Sequence, residues 1–307
     1  MFEIILFLTF AVLSGVQPLL VKWFMPTTVK RNVIILCQEL VKLIISLLVL
    51  LITSDYCIDI PDWTFKSAIV AAGVPSIMFV IQNHCNLFAN QILQPVTFVV
   101  LNQTKIVWTA VWCFLLLKQS QSTIQIISLL LVIVATLYLR KILPLSKPKN
   151  TINNSERVLS LGVTLALFAS FLSGLSGSMS QLTLQVNNRN PHLFNIELSI
   201  VSIVLLIIST MGTSIFGGSG GSGRWTWQVW IPIVTQAFSG ILVGLVTKHL
   251  GAVTKSFGNI FGIAISSLLQ QLLLTDRKSG QDGLSIEELV GACLCAVSLW
   301  LHVTNPI

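Results

Sequence analysis

Six charged side chains stand inside long apolar stretches: Glu39, Lys42, Lys105, Glu197, Lys248 and Lys255. A charge at the centre of a bilayer costs about 2.5–3.5 kcal/mol on insertion scales, so each needs a partner or a task. Glu39 and Lys42 are three residues apart, on one helical face, and are expected to neutralise each other as a structural ion pair. Lys105 has no acidic neighbour in sequence. It lies in "FVVLNQTKIVWTAVW" beside Asn102, Gln103 and Thr104. Those polar neighbours form a hydrogen-bonding wall and favour an anion site; the alternative is a pair with Glu197 across a bundle. Lys255 lies in "AVTKSF". Lys248 is two helical turns earlier and projects the same way, although a lysine near a span end can snorkel to the interface. Two unpaired lysines suit a phosphate or diphosphate ester, because an ammonium is a compact point charge with three donors.

The elements that position these residues are membrane helices. The chain has 307 residues, of which 54% are hydrophobic and 9% charged, and its mean hydropathy is +0.85. Soluble domains carry about 25% charged residues. Ten apolar runs are long enough to cross a bilayer: 2–24, 32–54, 65–88, 92–117, 121–140, 158–185, 193–215, 227–248, 252–274 and 285–304. The first lacks a basic n-region and a small-residue cleavage site, and is expected to be retained as a span. The net charge of +7 sits mostly in membrane-flanking loops, where it reports topology and not nucleic-acid binding. The six cysteines include no CxxC pair and read as small apolar residues, not a disulfide or zinc framework.

The polar stretch 140–157 divides the runs five and five. We therefore expect an all-α membrane protein of ten transmembrane helices in two inverted five-helix repeats. The boundaries are 1–141 for the first repeat, 142–157 for the connector and 158–307 for the second. Thr104-Lys105 and Thr254-Lys255 fall in the fourth and ninth runs, equivalent positions in the two halves.

Gly240 and Gly244 form GxxxG, a spacing used for close helix packing or for close approach of a flat ligand. Pro18, Pro75, Pro95 and Pro232 fall inside runs and are expected to interrupt helices beside a cavity. Among the amides that cluster around residues 82–94, Asn83 is expected to face that cavity. Enzyme signatures are missing: no HExxH, GxSxG or P-loop occurs, and the four histidines are scattered. No metal site and no cofactor are expected. Asp55, Asp59 and Asp62 read as a solvated loop face. "GGSGGSG" spells a dinucleotide turn at Gly218, Gly220 and Gly223, but no strand precedes it and no acidic residue follows about 20 positions on. It reads as a flexible linker over 216–224.

Several stretches resemble the nucleotide-sugar transporters of the drug/metabolite transporter superfamily. "IQNHCNLFANQILQPVTFVVLNQTKIVWTA" has the family's QN and QxKI at Gln82-Asn83 and Gln103-x-Lys105-Ile106. "LVTKHLGAVTKSF" matches its late lysine element at Lys248, Lys255 and Phe257. "FNIELSIV" matches at Asn195 and Ile196, and "QELVKL" resembles its second-span ExxKL. The chain is similar to the branch carrying "LNQTKI" and "SGILVGLVT", which includes plant-type carriers of UDP-N-acetylhexosamines. The resemblance implies exchange of a nucleotide sugar for a nucleoside monophosphate. It implies phosphate contacts at Lys105 and Lys255, nucleotide contacts at Asn83 and Asn195, and site positions at Asn102, Gln103, Ser199, Gly240, Gly244 and Lys248. Asn102 and Ser199 replace tyrosines of CMP-sialic acid carriers, Glu197 replaces a glutamine, and Gly251 and Ala252 replace an Asp-Asn. These departures favour UDP-sugars. Relatives carry a longer polar loop at 216–224, so the GGS repeat reads as an engineered replacement.

The resemblance thus leads us to expect an antiporter of a cytosolic UDP-sugar, such as UDP-GlcNAc or UDP-GalNAc, for lumenal UMP. The alternatives are a carrier of CMP-sialic acid or another phosphorylated anion, and a non-transporting scaffold. It would lie in the Golgi or endoplasmic reticulum membrane, bind no nucleic acid, and leave a homodimer open. The family implies cytosolic termini. The basic loops 30–31, 140–157, 224 and 277–278 argue the reverse by the positive-inside rule.

Overall fold

The computed structural model describes residues 1–25, 31–53, 63–93, 95–139, 156–215, 226–274 and 286–304. Most of the 142–157 connector, the 216–224 linker and the aspartates at 55, 59 and 62 lie outside the described residues. Every regular element among the described residues is helical. In chain order they are α1 (Phe2–Phe24), α2 (Arg31–Ile52), α3 (Phe65–Ala68), α4 (Val74–Ile92), α5 (Pro95–Leu117), α6 (Thr123–Leu139), α7 (Glu156–Gln181), α8 (Pro191–Ile215), α9 (Trp230–Leu274) and α10 (Ile286–Thr304). A π-helical turn (Ile69–Gly73) joins α3 to α4, and a second (Leu182–Val186) ends α7. Six stretches are long and apolar enough to cross a bilayer, and three shorter apolar helices accompany them among the described residues. The chain is an all-helical membrane protein.

Apolar residues face both ways, as lipid-facing helices require. Ile44, Leu47, Leu48 and Leu51 of α2 are exposed, whereas Ile106, Cys113, Val132, Ala135, Phe257 and Ile260 form the largest buried cluster, between α5, α6 and α9. Two of the four prolines lie at helix starts instead of interrupting helices. Pro95 opens α5, and Pro232 lies in the first turn of α9. The missing N–H costs nothing there. Pro18 lies inside α1, and Pro75 lies inside the continuous helical stretch of α3 and α4, where the π turn Ile69–Gly73 precedes it.

The feature that organises the site is the break in α9. Gly251 has φ 85° and ψ 168°, a backbone region essentially restricted to glycine. The two limbs on either side run in opposite directions against α1. Phe2 stacks edge-on against His249, and Gln17 Nε2 donates to the Pro232 carbonyl at 3.0 Å, so the first limb is antiparallel to α1. Gly258 packs on Phe10 and Gly262 on Gly15, so the second limb runs parallel to it. The chain therefore turns back at Gly251, within the expected 248–252 boundary.

Candidate functional site

The turn at Gly251 leaves backbone groups without helical partners. Two glutamines from the end of α7 take them up. Gln181 Oε1 accepts the Ala252 N–H at 2.8 Å. Gln185 Nε2 donates to the carbonyls of Thr247 at 3.1 Å and Lys248 at 2.9 Å. Gln181 Nε2 also donates to Gln185 Oε1 and to Gln119 Oε1, at 2.7 and 3.0 Å. The second limb of α9 thus begins at a fixed point, and Lys255 lies in its first turn. The Lys255 ammonium lies above Gly177 of α7, 3.8 Å from where a β-carbon there would stand.

Lys255 and Lys105 line one cavity of about 180 Å³ with Thr109, Ser173, Gly177 and Asn259. Among the described residues neither lysine has an ion-pair partner. Two cations in one enclosure repel each other, and the N-terminal end of the second limb adds positive potential. The Thr109 hydroxyl is spent on the Lys105 carbonyl at 2.7 Å and the Ser256 hydroxyl on the Ala252 carbonyl at 3.0 Å. The lysine ammonium groups are therefore the dominant charge here.

A second cavity of about 220 Å³ adjoins the first and shares Phe79, Val243 and Lys255 with it. Its polar lining includes Gln38, Glu39, Lys42, Asn195 and Gln236. Glu39 and Lys42 form the expected pair at 2.6 Å, and both face this cavity. Asn195 is 3% exposed, and among the described residues its Nδ2 has no hydrogen-bond partner. Gly240 and Gly244 also line it, and their missing side chains have definite tenants. A β-carbon on Gly240 would lie 2.9 Å from Lys42 Cδ, and one on Gly244 would lie 2.9 Å from Asn195 Nδ2. Together the cavities reach the lower part of the roughly 300–1,000 Å³ range of small-molecule sites.

The structure gathers Lys105, Lys255, Asn195, Gly240 and Gly244 around this space. It leaves other sequence candidates outside it. Asn83 is exposed on α4, and Asn102, Gln103, Ser199 and Lys248 line neither cavity. Lys248 Nζ reaches the Arg189 carbonyl at 3.5 Å. Glu197 does not meet Lys105. Its carboxylate is held by Arg189 in a forked pair, with Nε donating to Oε2 at 2.9 Å and Nη2 to Oε1, and Trp63 Nε1 donates to Oε1 at 2.7 Å. Arg189, Gln181 and Gln185 are not among the residues that the sequence marks as candidates. An arginine eight residues before a membrane-embedded glutamate was the available signal for the pair. Nothing in an apolar helix marks a glutamine as the cap of a distant turn.

Fold and cavities together define an all-helical membrane protein with a cationic chamber among its helices. The nucleotide-sugar transporter family profile matches residues 5–302. The UDP-N-acetylglucosamine transporter ROCK1 of Arabidopsis thaliana is 34% identical over 262 residues, 83% of this chain and 79% of that one. The UDP-N-acetylglucosamine/UDP-N-acetylgalactosamine transporter nstp-4 of Caenorhabditis elegans is 27% identical over 79% of this chain and 76% of its own. A solved crystal structure, 10% identical, matches 99% of this chain and 98% of its own with a TM-score of 0.69, a likeness of fold alone. The chain belongs to the nucleotide-sugar transporter family. It is a membrane transporter and not an enzyme.

Proposed function

We propose that the protein exchanges a UDP-N-acetylhexosamine for UMP by alternating access. The observation that carries the reading is the pair Lys105 and Lys255, two cations lining one cavity with no ion-pair partner among the described residues. Lys105 and Lys255 would grip the phosphates. Asn195 would contact the nucleoside in the adjoining cavity, where Gly240 and Gly244 leave room for it and for Lys42. A UDP-sugar and UMP each carry about two negative charges, so their exchange is nearly electroneutral. Empty, the two lysines repel; occupied, they are neutralised. That difference favours movement of the loaded carrier and couples the two directions.

The scaffold for this motion would be ten helices in two inverted repeats, the arrangement in which one half rocks against the other around a central site. The relatives' names support a UDP-linked amino sugar as cargo. A Golgi membrane is the proposed location, with the endoplasmic reticulum as the alternative compartment. A thermal-shift screen of nucleoside mono- and diphosphates on the purified protein tests the reading. Stabilisation by UMP and UDP, with little from CMP or GMP, is expected. Equal shifts with all four, or none, would count against a uridine site.

A further inference from the structure

We infer that Gln181 is a positioning residue for Lys255. It holds the lysine's limb of α9 at the angle that brings the ammonium into the cavity. Gln181 is buried, and every polar capacity of its amide is engaged. The oxygen accepts from Ala252 N–H at 2.8 Å and from the Cys113 thiol at 3.3 Å. The nitrogen donates to Gln119 and Gln185. Ala252 and Lys255 are one turn apart and both line the cavity. The bond to Ala252 is therefore a cap supplied by another helix, at the first free N–H of the limb that carries the lysine. The backbone turn alone does not set that limb, because a glycine at φ 85° is a permissive joint. A β-carbon at Gly251 would stand 3.1 Å from Gln181 Nε2, so the amide packs directly on the joint.

The arrangement also reaches across the chain. Gln119 and Cys113 belong to the α5 end of the molecule, and Lys105 stands two turns before Cys113 on that helix. One amide thus ties the helix bearing Lys105 to the limb bearing Lys255, and fixes the spacing of the two cations. A methionine at 181 would fill the space and lose every one of these bonds.

The inference rests on the reading of Lys105 and Lys255 as the anion site, and the test separates the two. UMP affinity is measured by calorimetry for the full chain and for Gln181→Met, Lys255→Ala and the double variant. Gln181→Met is expected to weaken UMP binding about tenfold when Lys255 is present, and not further once Lys255 is alanine. Equal losses in both backgrounds would assign Gln181 a general structural role and overturn the inference while leaving the anion site standing. Unchanged UMP affinity in Lys255→Ala would overturn the anion site, and the inference with it. Should Gln181→Met not fold, Gln119→Leu serves in the same cycle. Gln119 is exposed, and its loss removes one of the two acceptors of the Gln181 amide nitrogen while the Ala252 cap stays; a smaller loss of about threefold, confined to the background with Lys255, is expected.

Discussion

Lys105 of α5 and Lys255 of α9 line a single cavity although the chain between them spans half of the sequence. Each follows a threonine, and each stands on an element held by other groups. α5 is packed against α7, with the Ser178 hydroxyl donating to the Thr109 carbonyl at 3.3 Å. The second limb of α9 is capped by Gln181. The two cations are brought together by the fold against their own repulsion.

Removing either cation should relieve that repulsion. Lys105→Ala and Lys255→Ala are expected to melt at the same temperature as the parent protein or higher, and to lose the stabilisation that UMP confers. A melting temperature well below the parent's would mean that the lysines have structural partners.

The Arg189–Glu197 pair behaves in the opposite sense. Glu197→Ala leaves a guanidinium without its carboxylate and Trp63 without its acceptor, at a cost of about 3 kcal/mol. The double variant Arg189→Met, Glu197→Leu should recover part of that loss. Melting temperatures of the three variants provide the check, and no recovery in the double variant would contradict the pairing.

At the joint of α9, Gly251→Ala is expected to cost about 1–3 kcal/mol, because the backbone angles there admit little but glycine. It should also weaken UMP binding by moving Lys255. Gly73→Ala is the control. Its added carbon would meet Ile69 at 3.5 Å, an ordinary contact, and should leave both properties unchanged.

Gly244→Ala should separate binding from stability. The new carbon would lie 2.9 Å from Asn195 Nδ2, and the amide can swing away at small cost. The fold is retained, but the amide leaves its place in the cavity wall. UMP affinity is expected to fall several-fold, whereas Asn83→Ala, at an exposed position on α4, should change it less than twofold. The reverse ranking in a binding assay would restore Asn83 to the site.

Much of this was legible in the sequence. The apolar runs located the helices, because a bilayer demands about 20 apolar residues of any helix that crosses it. The cost of intramembrane charge singled out Glu39, Lys42, Lys105, Glu197, Lys248 and Lys255, of which Glu39, Lys42, Lys105 and Lys255 line the cavities, and the Glu39–Lys42 pair follows from helical periodicity alone. What was not legible depends on tertiary partners. Glu197 was a plausible mate for Lys105 until Arg189, at the mouth of α8, was seen to grip it. Gln181 and Gln185 sit in a run of small polar residues with nothing to tie them to a turn some 65 positions on. Asn83 matched a family motif, yet it is exposed on α4 and lines neither cavity. Lys248, two turns before Lys255 in sequence, is separated from it by the reversal at Gly251.

The central claim is coupled exchange through the two lysines. Its most direct test is uptake of radiolabelled UDP-N-acetylglucosamine into proteoliposomes containing the purified protein, preloaded with UMP or with buffer. Uptake is predicted to depend on internal UMP and to vanish in Lys105→Ala and Lys255→Ala proteins that remain folded. Uptake that is equal with and without internal UMP, or that survives either substitution, would contradict the account.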